Sequence, residues 1–370
     1  MPSTTTSTLL SAGPVLFAPD VSTDGSAVLF AADVARATIV AFELPSEEPA
    51  PEGAEVNVGQ LGAKIASLLG VEKDDAVIRG MTVHPVSHAA YLSVARGRGL
   101  EAGPALVRVG TSGQLTVVEL DDLPVTSFQL DDAPAADDER MDVWLDGSEP
   151  TSQPREIHGV TLNLAQVPAA RSTITGLAWV DGSLFVAGLS NEEFSSRLRQ
   201  VSYPFDGSAT ETSVEIFHVD HGKYETQSPI RALTSFDGGS SILASYTCTP
   251  VVQFSVNDLR GEGLVRGRTI AELGPMNQPF SIVSYDKDGE EFLLVSNTRH
   301  PLLKIPADAV AAQSALSIPI SEPDHSLGVP REELAHPGLT WMANLDRGSI
   351  VAVQNEGDDT SLRTFVAADL

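Results

Sequence analysis

The chain has little cysteine, little lysine and no long apolar run. Cys248 is the single cysteine among 370 residues, so no disulfide can form within the chain, and a small disulfide-stapled fold is excluded. No apolar run reaches the roughly 18–20 residues that span a bilayer. The opening stretch MPSTTTSTLLSAGP has neither the basic region nor the apolar core of a signal peptide. We therefore expect either a cytoplasmic protein or a mature form that begins with an added methionine.

Basic residues are outnumbered, because 23 Lys and Arg face 50 Asp and Glu, which gives a formal net charge of −27. Such a chain repels nucleic-acid phosphates and anionic membranes, so neither is expected as a partner. The acidity indicates solubility and does not identify a substrate. Since 42% of the residues are hydrophobic, the chain can bury a large core, either as two or three ordinary domains or as one large all-β domain.

A repeated pattern of short apolar strands and acidic or glycine-containing turns runs through the chain. Six segments show it clearly: 15–44, 81–109, 174–205, 230–259, 280–308 and 339–370. Their middle strands, such as SLFVAG, FLLVS and SIVAV, are apolar at nearly every position, as strands buried on both faces should be. Short sheets of this kind must stack on one another, and stacking them around an axis gives a β-propeller.

The number of blades depends on 121–170, where the repeat is weak. VTSFQL, RMDVWL and HGVTLNL are strand-like there, and counting them as a blade makes the spacing of the units nearly even. We therefore predict one all-β domain over 1–370 with seven blades. The alternative is six blades, with 121–173 as an insertion. The last unit has no obvious outer strand, and we expect TSTLLSA near the start to supply it.

One stretch is not β. VGQLGAKIASLLG places Leu61, Ile65, Leu68 and Leu69 at helical spacing, and Gly70 suits the end of a helix. We interpret 45–77 as an inserted connection with one short helix near 58–70 that packs on the propeller.

Propellers carry their sites where two kinds of loop meet at one end of the axis: the loop leading into each innermost strand and the loop between the second and third strands. In the second kind of loop this sequence has large polar groups, which predict a ligand site. The alternative is an ordinary polar rim of turn formers. The candidate ligand-binding residues are Arg96, Asn191, Glu192, Glu193, Asn297, Arg299 and Asn355.

The stretch IFHVDHGKYETQSPIRALTSF contains the strongest candidates for metal binding. His218 and His221 could converge in a loop, and Glu225 could add an oxygen ligand, as zinc and copper sites require. His300 and His336 come from other units and could approach the same site. A Ca²⁺ site built from Glu192, Glu193, Asn297 and Asn355 is the alternative.

Catalysis by a serine nucleophile is not indicated, because no G-x-S-x-G elbow is present. General acid–base work by Glu225 or His221 is chemically reasonable, with Arg231 orienting an anionic substrate. Cys248 lies in a loop that should face the mouth of the propeller. It is either a small buried hydrophobe or a reactive thiol.

Three stretches resemble a group of uncharacterised bacterial propeller proteins. These stretches are IASLLGVEKDDAVIRGMTVHPVSHAAYLSVARGRG, LFVAGLSNEEFSSRLRQVSYPF and HGKYETQSPIRAL with ASYTCTPVVQF. The group is similar to the YVTN-repeat and quinoprotein amine dehydrogenase β-chain-like superfamily. The resemblance implies a propeller fold and a periplasmic or extracellular location, and it implies no catalytic residues. In quinoprotein amine dehydrogenases the propeller subunit packs against a quinone-bearing partner.

The sequence thus predicts a propeller that binds, and can turn over, a small polar ligand at the mouth of its axis, with a divalent metal (Ca²⁺, Zn²⁺ or Cu²⁺) as an expected cofactor. Two alternatives stay open. One is a non-catalytic subunit or scaffold that docks a redox partner protein. The other is a metal-dependent lactonase or lyase.

Overall fold

The computed structural model describes residues 9–99, 102–145, 149–157, 160–248, 250–261, 263–319 and 327–370. Antiparallel sheets make up most of the regular structure in them. We number as blades the six sheets that surround one axis. No helix in the described part of the chain is long and apolar enough to cross a membrane.

The first three blades are numbered in the order of their innermost strands. Blade 1 consists of Val15–Val21, Ala27–Asp33, Thr38–Leu44 and Val125–Gln129. Blade 2 consists of Ala76–Val83, Ala90–Arg96, Gly103–Val109 and Leu115–Val117. Blade 3 consists of Gly176–Val180, Ser183–Leu189, Ser196–Val201, Ala209–His218 and Lys223–Glu225, with Gly263–Arg266 pairing in parallel with its fourth strand.

The remaining blades follow in chain order. Blade 4 consists of Ile230–Phe236, Ser241–Tyr246, Pro250–Ser255, Arg268–Glu272 and Leu327–Gly328. Blade 5 consists of Pro279–Lys287, Glu290–Asn297, Leu303–Pro306 and Glu332–Glu333. Blade 6 consists of Leu339–Asp346, Ser349–Asn355 and Thr360–Val366.

Two α-helices and six short 3₁₀ helices connect these strands within the described residues. The α-helices are Leu61–Leu69 and Ala307–Ala312. The 3₁₀ helices are Val34–Arg36, Lys73–Asp75, Ala169–Ser172, Asp237–Gly239, Asp258–Arg260 and Ala367–Asp369.

The innermost strands close a ring of six, so the fold is a β-propeller. Around the axis the blades follow the order 2, 1, 3, 4, 5, 6, and blade 6 contacts blade 2. Each of the six contacts between neighbouring blades is filled by its own cluster of buried apolar side chains. The middle strands are buried along nearly their whole length, as their sequence predicts. Stacking therefore buries both faces of each sheet and stabilises the ring.

The prediction of seven blades is corrected to six. The strand Val125–Gln129 joins blade 1 as its outer strand. The strands Met141–Trp144, Gln153–Ile157 and Val160–Pro168 pair only with one another among the described residues, and we call them the inserted sheet. An insertion whose length is close to that of a blade made the spacing look even, because spacing alone does not show which strands reach the axis.

Blade 6 is completed by a segment from far away in the sequence. Val58 and Leu362 exchange two backbone hydrogen bonds of 2.8 Å, so residues of the 45–77 connection lie along the outer strand of that blade. The sequence predicts the stretch TSTLLSA at this position. Part of that stretch lies outside the described residues, and Leu10 and Ser11 bind the Asp33 carboxylate of blade 1 instead.

The predicted helix is confirmed as Leu61–Leu69. Leu61 and Ile65 are buried in the cluster between blades 2 and 6, whereas Leu68 keeps 39% of its surface exposed. Gly70 ends the helix at φ 68°, a left-handed conformation that glycine adopts without steric cost.

The same connection is fixed to blade 2 by an ion pair. Arg108 donates to both Glu47 carboxylate oxygens at 3.0 and 3.1 Å, and the Tyr91 hydroxyl also donates to Glu47. Burial alone would raise the pKa of Glu47, but these hydrogen bonds outweigh it and lower the pKa to about 2. Because the folded state favours the ionised form, Glu47 stabilises the fold above pH 4.5 and loses that effect as the pH falls towards 2.

We expect Glu47→Gln to lower the free energy of unfolding by about 2–3 kcal/mol at pH 7. Below pH 4.5 the difference from wild type should shrink by about 1.4 kcal/mol per pH unit. Urea unfolding between pH 7 and pH 3 measures it, with the exposed neighbour Glu48→Gln as the matched control. A difference that stays constant over this pH range would contradict the role given to Glu47.

Candidate functional site

All six innermost strands begin at one end of the axis, which we call the mouth. A cavity of about 690 Å³ lies there, lined by the residues at the start of each innermost strand. A second cavity of about 1190 Å³ continues along the axis between the strands. Arg231, Phe280 and Trp341 line both cavities and mark the level at which they meet. The upper volume is within the roughly 300–1,000 Å³ of small-molecule sites.

Three arginines from three different parts of the ring converge on one indole ring in the upper cavity. Arg79 belongs to the innermost strand of blade 2, Arg171 to the 3₁₀ helix before blade 3, and Arg231 to the innermost strand of blade 4. Their guanidinium carbons lie 5.4, 5.8 and 5.4 Å from the ring centre of Trp144. Trp144 ends the first strand of the inserted sheet, so this sheet reaches into the mouth.

Two carboxylates of the inserted segment balance part of this positive charge. Glu149, which is 5% exposed, accepts from Arg79 at 3.2 Å and from Arg171 at 2.7 Å. Asp142 accepts from Arg231. Each of the three arginines therefore donates to a carboxylate of the inserted segment. Such charge-assisted pairs hold the inserted sheet against the mouth.

A second polar group lies at the same end of the propeller, between blades 3 and 4. His218 ends the fourth strand of blade 3, and His221 follows in the turn after it. Cys248 lies in the loop between the second and third strands of blade 4. One ligand atom from each of these residues lies within 4.8 Å of the other two. We call His218, His221 and Cys248 the histidine–cysteine cluster.

Glu225 orients both imidazole rings. Its two carboxylate oxygens accept from His218 Nδ1 at 2.8 Å and from His221 Nδ1 at 2.7 Å. Burial alone would raise the pKa of Glu225, but the hydrogen bonds from the two histidines hold it well below its usual range. Cys248 and Glu225 raise the pKa of His221 to about 10. With Nδ1 engaged on both rings, Nε2 is the nitrogen left for a ligand.

Cys248 and Glu272 complete the surroundings of the cluster. Burial alone would raise the pKa of the Cys248 thiol, but His218, His221 and the backbone N–H of Met276 lower it to about 7. The Glu272 side chain is fully buried and 4.0 Å from His218 Nε2, and burial raises its pKa to about 8. Neither Glu272 oxygen accepts a hydrogen bond within the described residues.

Of the five residues predicted as metal ligands, the structure brings three together: His218, His221 and Glu225. The other two histidines are engaged elsewhere. His300 contacts Glu333 at 3.0 Å through Nδ1 and the Leu273 carbonyl at 2.9 Å through Nε2. His336 donates from Nε2 to the Asp369 carbonyl at 3.0 Å. Neither histidine belongs to the group of potential ligand atoms formed by His218, His221 and Cys248.

The predicted ligand-binding residues are spread around the rim, and among them only Asn355 lines the upper cavity. Asn297 caps its own turn by accepting from the backbone of Arg299 and His300, and Arg299 donates to the Pro275 carbonyl. The remaining four are exposed at the ends of second strands or in the loops after them: Arg96, Asn191, Glu192 and Glu193. These loops lie farther from the axis than the starts of the innermost strands. The residues of the Ca²⁺ alternative, Glu192, Glu193, Asn297 and Asn355, come from loops of blades 3, 5 and 6.

The three residues predicted as catalytic fall into both groups. His221 belongs to the histidine–cysteine cluster, Glu225 belongs to its surroundings, and Arg231 belongs to the cavity. Arg231 Nε donates to Thr247 Oγ1 at 3.1 Å, and Thr247 precedes Cys248 in the chain. One arginine therefore contacts both the axial cavity and the loop of the cluster.

Sequence reasoning missed Trp144, Arg79 and Glu149 at the mouth, and Glu272 beside the cluster. Trp144 and Glu149 belong to the insertion, which follows no repeat, and Arg79 stands inside an apolar strand. The run RMDVWL could have indicated Trp144, because the aromatic residue follows a basic and an acidic one there.

Comparison with known proteins adds little. No protein-family model matches the chain, and no curated protein matches it significantly. Among solved structures, one titled "Structure of U3-55K" is similar at 9% identity and a TM-score of 0.38, over 96% of each chain. The PQQ-bound aldose sugar dehydrogenase from Streptomyces coelicolor is similar at 12% identity and a TM-score of 0.33, over 98% of this chain and 96% of that one. These likenesses are too distant to carry an argument, and the propeller assignment rests on the ring of sheets.

Proposed function

We propose that the protein binds a small, negatively charged organic ligand in the upper axial cavity. One observation carries the proposal: Arg79, Arg171 and Arg231 come from three different parts of the ring and converge on Trp144 inside a cavity of about 690 Å³. Guanidinium groups offer paired N–H donors whose geometry matches carboxylates and phosphates.

The charge of the whole chain makes this cavity distinct. The molecule has 23 basic residues against 50 acidic ones, so most of its surface repels anions. Three of the basic residues share one ring at the mouth, where they pair with Asp142 and Glu149, and Asp74, Asp358 and Asp359 line the same cavity. An anionic ligand would replace one of these carboxylates on the arginines, so its affinity reflects the difference between the two sets of contacts.

The aromatic residues at the bottom of the upper cavity indicate the chemistry of the uncharged part of the ligand. Phe280 and Trp341 lie where the two cavities meet, with their ring centres 6.0 Å apart. An apolar or aromatic body can pack on these rings while its acidic group meets the arginines. The cavity therefore suits a small acid with a ring or hydrocarbon body better than a fully hydrated inorganic anion.

We expect acids to bind more tightly than neutral molecules of the same shape. The probes are benzoate and phthalate, compared in turn with benzamide and phthalamide in thermal-shift and calorimetric titrations. Losing the charge-assisted hydrogen bonds should weaken binding roughly 10–100-fold. Equal affinity for acids and their neutral counterparts, or no binding of any acid, would refute the proposed ligand class.

A further inference from the structure

The histidine–cysteine cluster has a feature that ordinary buried histidines lack: both rings are held by one carboxylate in the same way. Glu225 accepts from His218 Nδ1 and His221 Nδ1 at 2.8 and 2.7 Å, and the ring centres are 3.8 Å apart. Metal-binding histidines characteristically donate their second ring nitrogen to a carboxylate, which fixes the tautomer and directs the other nitrogen at the metal. Here two rings are fixed in this way beside one thiol.

The two sulfur-containing residues near the cluster, Cys248 and Met276, both have an unfavourable backbone conformation. Cys248 has φ 63° and Met276 has φ 50°, in the left-handed region that non-glycine residues rarely adopt. Their two loops bind each other: Cys248 N–H donates to the Asn277 carbonyl at 2.7 Å, and Met276 N–H donates to Cys248 Sγ at 3.4 Å. The Met276 Sδ then lies 3.9 Å from Cys248 Sγ. Such local strain persists where the surroundings enforce a particular geometry.

A buried carboxyl beside the cluster makes a long charge contact, of 4.0 Å, with His218 Nε2. The Glu272 carboxyl is fully buried and accepts no hydrogen bond within the described residues, and His218 Nε2 has none either. Leaving a carboxyl in this state is costly. A metal ion on His218 would place positive charge near Glu272 and use the free Nε2, so both groups would gain an interaction.

The alternative to a metal site is a catalytic thiol activated by a histidine base, which Glu225 could orient. The geometry favours a metal for two reasons. A nucleophile needs one histidine, whereas two are aimed at this sulfur. It also needs room for a substrate, whereas Cys248 is buried and lines neither axial cavity.

We propose that His218 and His221, through Nε2, and the thiolate of Cys248 bind one copper ion, with the thioether of Met276 as a weaker fourth ligand. Two imidazoles, a thiolate and a long thioether contact form a set that suits copper, whereas Ca²⁺ and Mg²⁺ require oxygen ligands. Binding releases the thiol proton to solvent, and Glu225 stays outside the metal as the group that orients both rings. The site is independent of the ligand proposed for the axial cavity.

The test uses the full chain, purified anaerobically and freed of metal. Cu(I) affinity is measured by competition with a chromophoric chelator, and Cu(II) is titrated while the visible spectrum is recorded. We expect one copper per chain and a thiolate-to-copper charge-transfer band. Zn²⁺ and Co²⁺, titrated in parallel, should bind at the same residues and be displaced by copper.

The variants separate the ligands from their surroundings. Cys248→Ser and His221→Gln should each lower copper affinity by at least about 100-fold and abolish the band, while Glu225→Gln should lower affinity roughly 10–100-fold. Met276→Leu should keep the copper and shift the band. His336→Gln is the matched control and should behave as wild type. His221 is 42% exposed, so its variant should fold even if the Cys248 variant does not.

Two results would overturn the copper site. One is folded wild-type protein that binds no copper, or that binds Zn²⁺ in preference to copper. The other is unchanged copper affinity in both Cys248→Ser and His221→Gln. Alkylation of Cys248 by iodoacetamide should also slow by at least 10-fold when one equivalent of Cu(I) is bound, and an unchanged rate would support the nucleophile instead.

Discussion

Replacing Asp132 by alanine is expected to lower the free energy of unfolding by about 3–5 kcal/mol, because it leaves a buried arginine without its counter-charge. Arg199 is fully buried, and its Nε donates to the two Asp132 oxygens at 2.8 and 3.0 Å. Arg197 Nε donates to the same carboxylate at 3.2 Å. Burial lowers the pKa of Arg199, and Asp132 acts against this by stabilising the guanidinium.

Asp132 also makes a backbone contact with blade 3. The Asp132 carbonyl accepts from the backbone of Asn191 at 2.8 Å, so the stretch that leads to the inserted sheet is tied to blade 3 at this point. Urea unfolding of Asp132→Ala and Asp132→Asn gives the magnitude. The matched control is Glu356→Ala, which breaks an exposed ion pair with Arg363 and should cost less than about 1 kcal/mol. A cost for Asp132→Ala as small as that of the control would show that Arg199 does not depend on this carboxylate.

Gly188→Ala is expected to be the second severe substitution, at about 3 kcal/mol or more, because there is no room for a methyl group. A Cβ built on Gly188 would lie 1.9 Å from the Thr173 carbonyl oxygen. This close approach lets the segment after the helix Ala169–Ser172 lie directly on the middle strand of blade 3. Since the clash is with backbone atoms, a side-chain rotation cannot relieve it.

The same substitution should disturb the mouth, because Arg171 belongs to that helix. We expect Gly188→Ala to reduce both stability and affinity for acidic ligands, measured by urea unfolding and by calorimetry. Gly59→Ala is the control, since nothing lies within 4 Å of its added Cβ. It should stay within about 0.5 kcal/mol of wild type. If Gly188→Ala unfolds like that control, the close packing of this segment is not required.

The sequence predicted the features that depend on local pattern. The middle strands are apolar on both faces, and their burial follows directly from that pattern. The helix Leu61–Leu69 follows from helical spacing and from Gly70. The order of the blades was not predictable in this way. Val58 pairs with Leu362 through backbone atoms alone, so the side chains around either residue do not indicate which segment it pairs with.

The same distinction between local pattern and tertiary packing applies to the candidate sites. His218, His221 and Glu225 lie within eight residues of one another, and their proximity could be inferred from the sequence. Cys248 and Met276 come from other loops, and nothing in their flanking residues shows that they meet. Trp144 belongs to an insertion without a repeat, so its position over the axis depends on tertiary packing that no periodicity records.

The measurement that tests the central claim most directly is the affinity of the tightest-binding acid for Arg79→Gln, Arg171→Gln and Arg231→Gln. Arg260→Gln is the control, because Arg260 pairs with Asp181 at the surface and lines neither axial cavity. If the three arginines form one anion site, each of the three variants should bind about 10-fold or more weakly, and the control should match wild type. Wild-type affinity in all three folded variants would show that the ligand does not bind at this mouth.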